Sequence, residues 1–295
     1  MDIHRLLARL PVARFKHPPP VVGVLRLAGV IGSLGPWRAG MTLAGLDRAI
    51  ERAFKLPRLQ AVALAVNSPG GSPVQSDLIA RRLRDLAEEK GVPVFAFCED
   101  VAASGGYWLA CAADEIYARE TSIIGSIGVI TTSFGFPELL QRFGIERRVY
   151  TAGPKKSMLD PFRKEDPKEV ERLKGIQKEM HESFKAAVRA SRGGRLKGGD
   201  RALFSGEFWT GKKAVELGLI DGLGELRQVM RARYGEKVAL KRVDAIRPWW
   251  RRRLGFAEPD LAGAGFGLRR PGPQDWAAGL IAAAEERALW SRFGL

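Results

Sequence analysis

Cysteine is scarce in this 295-residue chain, which has only Cys98 and Cys111. Two thiols cannot build a disulfide framework, and neither sits in a cluster with metal-ligand spacing. Histidine is almost as rare, with His4, His17 and His181 only. The usual zinc sites draw on His or Cys at defined spacings, so no metal is expected. Apolar runs never reach the ~18 residues that a spanning helix needs. The longest attempt, residues 21–35, is broken by Arg26 and several glycines. The start, Met1-Asp-Ile-His-Arg-Leu-Leu, lacks the continuous apolar stretch of a secretory leader. A reducing, cytoplasmic setting is therefore expected, with at most peripheral contact with the inner face of a membrane. Neither Gly-x-Gly-x-x-Gly nor a Walker Lys-Ser/Thr pattern occurs, so nucleotide phosphate binding is not indicated.

What the chain does have is a folded composition, with 45% hydrophobic and 27% charged residues. That excludes a disordered tail and suits one large α/β domain or two small ones. Residues 1–20 read as a basic arm that ends at Pro18-Pro-Pro20. Apart from Arg26, residues 21–27, 61–66 and 92–98 are apolar, as strands buried on both faces are. Between them, residues 41–54 carry Leu43, Leu46, Ile50 and Phe54 at helical spacing, and a second helix presents Leu78, Ile79, Leu83 and Leu86. Residues 107–113 read as a buried helix, and 146–150 as a strand. A long helix over 169–190 is expected to bury Val170, Leu173, Ile176, Met180, Phe184 and Val188. Residues 209–224 read as a short helix, a turn and a strand. Alternating strands and helices predict an α/β fold with a parallel sheet covered by helices. The domain is expected over 21–240. Residues 241–295 then supply a basic segment around Trp249-Trp250, a Gly/Pro linker and an amphipathic helix from Trp276.

Chemistry is indicated first at Ser104. Ala102-x-Ser104-x-Gly106 lies between an apolar strand and an apolar helix, as in a nucleophile elbow with Ala for the first Gly. A serine that merely caps the helix would look the same in sequence. A histidine base is improbable, because only His181 follows Ser104 and it reads as a half-buried structural residue. No serine has a lysine three positions on. A lysine base remains, working only when neutral and therefore desolvated or beside another cation. Gly153-Pro-Lys155-Lys156 is the candidate, a solvated lysine pair being the alternative. Asn67-Ser-Pro-Gly-Gly71 follows a strand and precedes a helix, so its N–H groups could line an oxyanion pocket; an ordinary turn is the alternative.

These strings, in this order, resemble the signal peptide peptidase A (SppA)/SohB serine peptidases. The matched segments are Asn67-Ser-Pro-Gly-Gly71, Ala103-Ser-Gly-Gly-Tyr107, Gly125-Ser-Ile-Gly-Val129, Gly153-x-x-Lys156 with Pro161-Phe-Arg163, and Gly211-Lys-Lys-Ala-Val-Glu-Leu-Gly-Leu-Ile-Asp221. The resemblance implies a ClpP/crotonase-like stack of β-β-α units and a Ser-Lys dyad acting on short hydrophobic peptides such as signal-peptide remnants. Ser104 then corresponds to the nucleophile, Lys156 to the general base and Ser126 to the hydroxyl that orients the lysine. The N–H groups of Gly71 and Gly105 correspond to the oxyanion hole. The doubled lysine makes Lys155 a competitor for Lys156. No cofactor is implied. Members are homo-oligomers, and in single-repeat forms neighbouring subunits can share an active site. Members usually carry an N-terminal membrane anchor, where this chain has only the basic arm.

A net charge of +15 has three readings. Solvated helix faces are the bland one. Contact with an anionic membrane surface comes next, because Trp249-Trp250 adjoins Arg251-Arg252-Arg253. Nucleic acid is not expected, for no recognition module is present. Two further functions share the fold: a crotonase-type acyl-CoA enzyme, which would not need Ser104 or Lys156, and a catalytically silent, membrane-associated scaffold.

Overall fold

The computed structural model describes residues 18–33, 40–153, 155–243, 283–284 and 286–294. Most of the basic arm, the Trp249-Trp250 segment and the Gly/Pro linker lie outside the described residues. Three strands build the centre: β1 (Val21–Ala28), β2 (Leu59–Ser68) and β3 (Val94–Ala103). The connections are α1 (Leu43–Phe54), capped by Thr42, and α2 (Pro73–Lys90), which starts at Ser72 with proline in its first turn and ends on the left-handed Gly91. After β3 come α3 (Gly105–Ala110), β4 (Glu115–Ala118) and β5 (Ile123–Gly125). Then follow α4 (Pro137–Arg142), α5 (Pro167–Arg192), α6 (Asp200–Leu203), β6 (Phe208–Thr210), α7 (Gly211–Glu216), β7 (Gly222–Leu223), α8 (Leu226–Tyr234) and β8 (Ala239–Arg242).

The strands form one sheet in the order β6-β5-β3-β2-β1-β8, with β4 and β7 branching from β3. Every pairing is parallel except β5 with β6. Both faces are covered, which is why the central strands read as continuous apolar runs. Val62, Leu64 and Val66 of β2 and Val94, Ala96 and Cys98 of β3 face a large core shared with α1, α2, α3 and α5. The alternate residues Ala61, Ala63, Phe95 and Phe97 face a second core, closed by Met230 of α8 and Val238. Small side chains on β2 thus make room for large ones on β3. Each fully buried Leu, Ile or Phe contributes about 1.5–3 kcal/mol.

Four expectations need correction. Strand β3 does not stop at Cys98; it continues through Glu99 and Asp100 to Ala103. Its register against β2 shifts there, so that Val66 faces Cys98 but Ser68 faces Ala102. Asn67 pins the irregularity, donating to Asp100 at 2.8 Å and accepting from the Val101 N–H at 3.2 Å. Residues 146–150 form no strand, and among the described residues no neighbouring strand lies beside them to pair with. Leu78 is exposed; the buried face of α2 is Ser76, Ile79, Ala80, Leu83, Leu86 and Ala87. The apolar stripe of α5 is buried only at Phe184 and Val188; Val170, Leu173 and Ile176 are half-buried and Met180 is exposed. Of the amphipathic helix expected from Trp276, residues 286–291 are helical and 276–282 lie outside the described residues.

Candidate active site

The register shift divides β3 functionally. Its first half pairs with β4 and its second half, Val101 to Ala103, with β5. The second half delivers Ser104 to the start of α3. Ser104 adopts φ 52° and ψ −124°, a conformation that costs a non-glycine residue about 1–3 kcal/mol. Although Ser104 occupies the N-cap position, its side chain makes no capping hydrogen bond. The helix-cap alternative therefore fails, and the hydroxyl is left for other work. The turn is held through the backbone: the Ser104 N–H donates to Gly125 O at 2.8 Å, and the Trp108 N–H donates to Ser104 O at 3.1 Å. Trp108 stacks on Phe184 of α5 at 4.8 Å between centroids, which anchors α3 from above.

The Asn67–Gly71 turn arrives from the side. Gly70, at φ +107°, comes so close that a methyl group there would lie 2.7 Å from Ser104 Cβ and 2.9 Å from the Gly105 N. Its N–H is taken by Ser68 Oγ at 3.2 Å. Gly71 pairs with Ile31, and the bonds to that partner come from its neighbours: the Ile31 N–H donates to Gly70 O and the Ser72 N–H to Ile31 O, both at 2.8 Å. In parallel pairing this turns Gly71's own N–H away from Ile31, and among the described residues it meets no backbone acceptor. The Gly105 N–H is the first of α3 and has no intrahelical acceptor.

Ser126 follows β5, is buried and also has positive φ, at 51°. Its N–H donates to Glu207 O at 2.6 Å, just before β6. Ser104, Ser126, Gly70, Gly71 and Gly105 are thus drawn together by adjacent strand ends. The lysines are not. Lys156 sits in an exposed turn, its N–H donating to Gly153 O at 3.1 Å, and among the described residues its amine makes no hydrogen bond or ion pair. Lys155 instead lines a shallow groove against Lys168, Glu171 and Arg172 of α5. Phe134 and Phe136 are exposed rather than core.

Two contacts escaped sequence reading. Gly70 was one glycine of a turn string, and only the packing shows that it, rather than Gly71, touches the Ser104 turn. His181 is structural, as its lone position suggested: its Nε2 lies 3.1 Å from Ile127 O, immediately after Ser126. A histidine on a helix gives no local sign of which carbonyl it will meet. The two cysteines offer no rival nucleophile. Burial pushes the Cys111 thiol up to about 11, and the Cys98 thiol is pushed up further, by burial first and by Cys111 second. Among the described residues no group of His, Cys, Asp and Glu is placed to hold a metal ion, and no helix is long and apolar enough to cross a membrane.

The pattern of Peptidase family S49 matches residues 87–240. A Brucella abortus protein named Na(+)/H(+) antiporter NhaA is 48% identical over 98% of this chain, which corresponds to 39% of that protein. The chloroplastic serine protease SPPA of Arabidopsis thaliana is 30% identical over 71% of this chain and 31% of its own length. A putative protease of Synechocystis is 31% identical over 73% of this chain and 80% of its own. The chain therefore spans well under half of the first two relatives.

Proposed function

Because this chain belongs to peptidase family S49, we propose that it is a serine peptidase in which Ser104 attacks a peptide carbonyl and Lys156 takes the serine's proton. The observation that carries this reading is the uncapped Ser104 hydroxyl on a strained strand-to-helix turn, with the Gly105 N–H unpaired at the start of α3 and the Gly71 N–H turned away from Ile31. As Oγ bonds to the carbonyl carbon, the carbonyl electron pair moves onto oxygen, where those two donors stabilise it. Collapse expels the amine, which receives the proton held by Lys156, and leaves an ester on Ser104. Water then attacks the ester as Lys156 takes its proton, and a second collapse releases the acid and restores the serine. Ser126 orients the lysine amine. No metal or organic cofactor enters these steps.

Short hydrophobic peptides, signal-peptide remnants among them, are the proposed substrates. The exposed rings of Phe134, Phe136 and Phe162, spaced 6.3 and 5.7 Å centroid to centroid, support that choice. Exposed apolar side chains also support a homo-oligomer in which a second copy covers the segment carrying Lys156. Contact with an anionic membrane surface is proposed from the basic charge and from Brucella relatives named for sodium–proton exchange. Neither the acyl-CoA enzyme nor the silent scaffold is favoured by any feature of the site.

Fluorophosphonate labelling tests the reading. The wild-type protein is expected to acquire one adduct, mapped to Ser104, and to cleave a fluorogenic peptide. Ser104→Ala should lose both, and Lys156→Ala should lower turnover roughly 1000-fold. Hydrolysis that persists in Ser104→Ala overturns the assignment.

A further inference from the structure

We propose that residues 290–293 form an aromatic clamp, with Phe293 as a positioning residue, that holds the Ser104 turn in its reactive shape from the far side of the sheet. The catalytic part of this claim rests on Ser104 being the nucleophile.

The Ser104 turn needs holding from two sides. Ser104 and Ser126 are both non-glycine residues at positive φ, and such conformations persist only where the surroundings over-determine them. One side is supplied by the helical core, where Trp108 stacks on Phe184. On the opposite face of β3 the side chains of Val101 and Ala103 point away from that core. Both are fully buried, yet they do not belong to the cluster that α8 closes further along the sheet. Their cover is Phe293, with Ile123 and Trp290 packed around the three.

Phe293 reaches both strands of the site. It contacts Val101 and Ala103 on β3, and Ala103 is the residue before the nucleophile. Its ring also meets Phe208 of β6 edge-on, 5.2 Å between centroids. Phe208 pairs with Gly125, whose carbonyl accepts the Ser104 N–H, and Glu207, next to Phe208, accepts the Ser126 N–H. One ring therefore bears on the two backbone hydrogen bonds that fix the serine pair. Ala103 has only a methyl group on this face, and among the described residues Phe293 is the fully packed ring of the cluster that covers it. At 8% exposure the ring is buried as deeply as a core residue, although it lies outside residues 87–240, which carry the family pattern.

Amide hydrogen exchange on the full-length protein judges the clamp independently of activity. In Phe293→Ala the amides of Ser104 and Ser126 should exchange about tenfold faster, while those of β1 and β2 keep their wild-type protection. The same variant should lose about ten- to a hundredfold in kcat and in the fluorophosphonate labelling rate with KM within twofold, as small misplacements of a reacting group do. Phe293→Leu, which refills the space, should restore most of both. Unchanged exchange at Ser104 and Ser126 overturns the clamp, and so does a loss seen only as raised KM. Should Phe293→Ala fail to fold, Trp290→Leu at the rim of the cluster must show the same local exchange, smaller in size, or the clamp is wrong. A wild-type protein that takes no label at Ser104 sinks the peptidase reading, while the exchange data still decide the clamp.

Discussion

At Gly70 the absence of a methyl group decides whether the Asn67–Gly71 turn and the Ser104 turn can touch. The residue combines φ +107° with backbone and side-chain atoms closer than any real Cβ tolerates, and the nearest of them belong to Ser104, Gly105 and Ala103. Gly70→Ala is expected to cost about 1–3 kcal/mol in a urea titration and to slow labelling of Ser104 at least tenfold, because it pushes the two turns apart. Gly175, inside α5 with nothing within 4 Å of an added methyl, is the matched control. There the same change should stabilise by about 0.5–1 kcal/mol and leave labelling untouched.

Among the elements, α5 carries the most consequence for the site. Its middle stacks Phe184 on Trp108 and sets His181 against Ile127, so it touches the segments after both serines. Its end is locked by Arg192, whose guanidinium is buried and grips Asp221 at 2.7 and 3.0 Å while donating to Gly218 O. Asp221 also accepts the Ile116 N–H at 2.7 Å, tying the helix to β4. Arg192→Leu leaves that carboxylate without its main partner and should cost about 3–5 kcal/mol. Burial alone would raise the Asp221 carboxyl, but the hydrogen bonds from Arg192 and Ile116 and the charges of Arg192 and Arg195 outweigh it, and the result is a lowered pKa. A lowered carboxyl pKa adds stability above the unfolded value of about 3.9, and this is lost as pH falls through that value toward the folded one. Urea titrations between pH 3 and 7 should therefore show stability falling below about pH 4, with a shallower fall in Asp221→Asn.

For the whole molecule, the informative feature is the stretch between Ser126 and α5. Phe134, Phe143 and Tyr150 are 79%, 69% and 89% exposed, and Ile130, Leu139, Ile145 and Val149 also face solvent. A folded chain rarely leaves so much apolar surface together unless something covers it. Asp160 nevertheless orders the stretch locally, pairing with Arg147 at 2.8 Å and accepting the Phe162 N–H at 3.1 Å. The homo-oligomer proposed above, with a second copy over this surface, is the arrangement in which Lys156 of one chain would serve Ser104 of another. Mixing inactive Ser104→Ala with inactive Lys156→Ala under exchange conditions should then recover hydrolysis if the dyad is shared. No recovery, with subunit exchange proved by mass, places both groups in one chain.

Much of this was legible in the residues themselves. The apolar runs of β1, β2 and the first half of β3, the periodicity of α1 and α2, and the strings around Gly71, Ser104 and Ser126 are local, and local pattern suffices to read them. Other features depend on partners far along the chain. Strand β3 passes through Glu99 and Asp100 only because Asn67, from the adjacent strand, bonds the irregularity there. The strand expected at 146–150 and the full burial expected along the first half of α5 need partners that the described residues do not supply. The sequence by itself determined the sheet, its helical cover and the family of the chain, since periodicity and motif spacing are properties of neighbouring residues. Tertiary structure alone decided which glycine meets the serine, which ring backs it and that the Lys156 turn is exposed, because those depend on contacts between segments that no local pattern encodes.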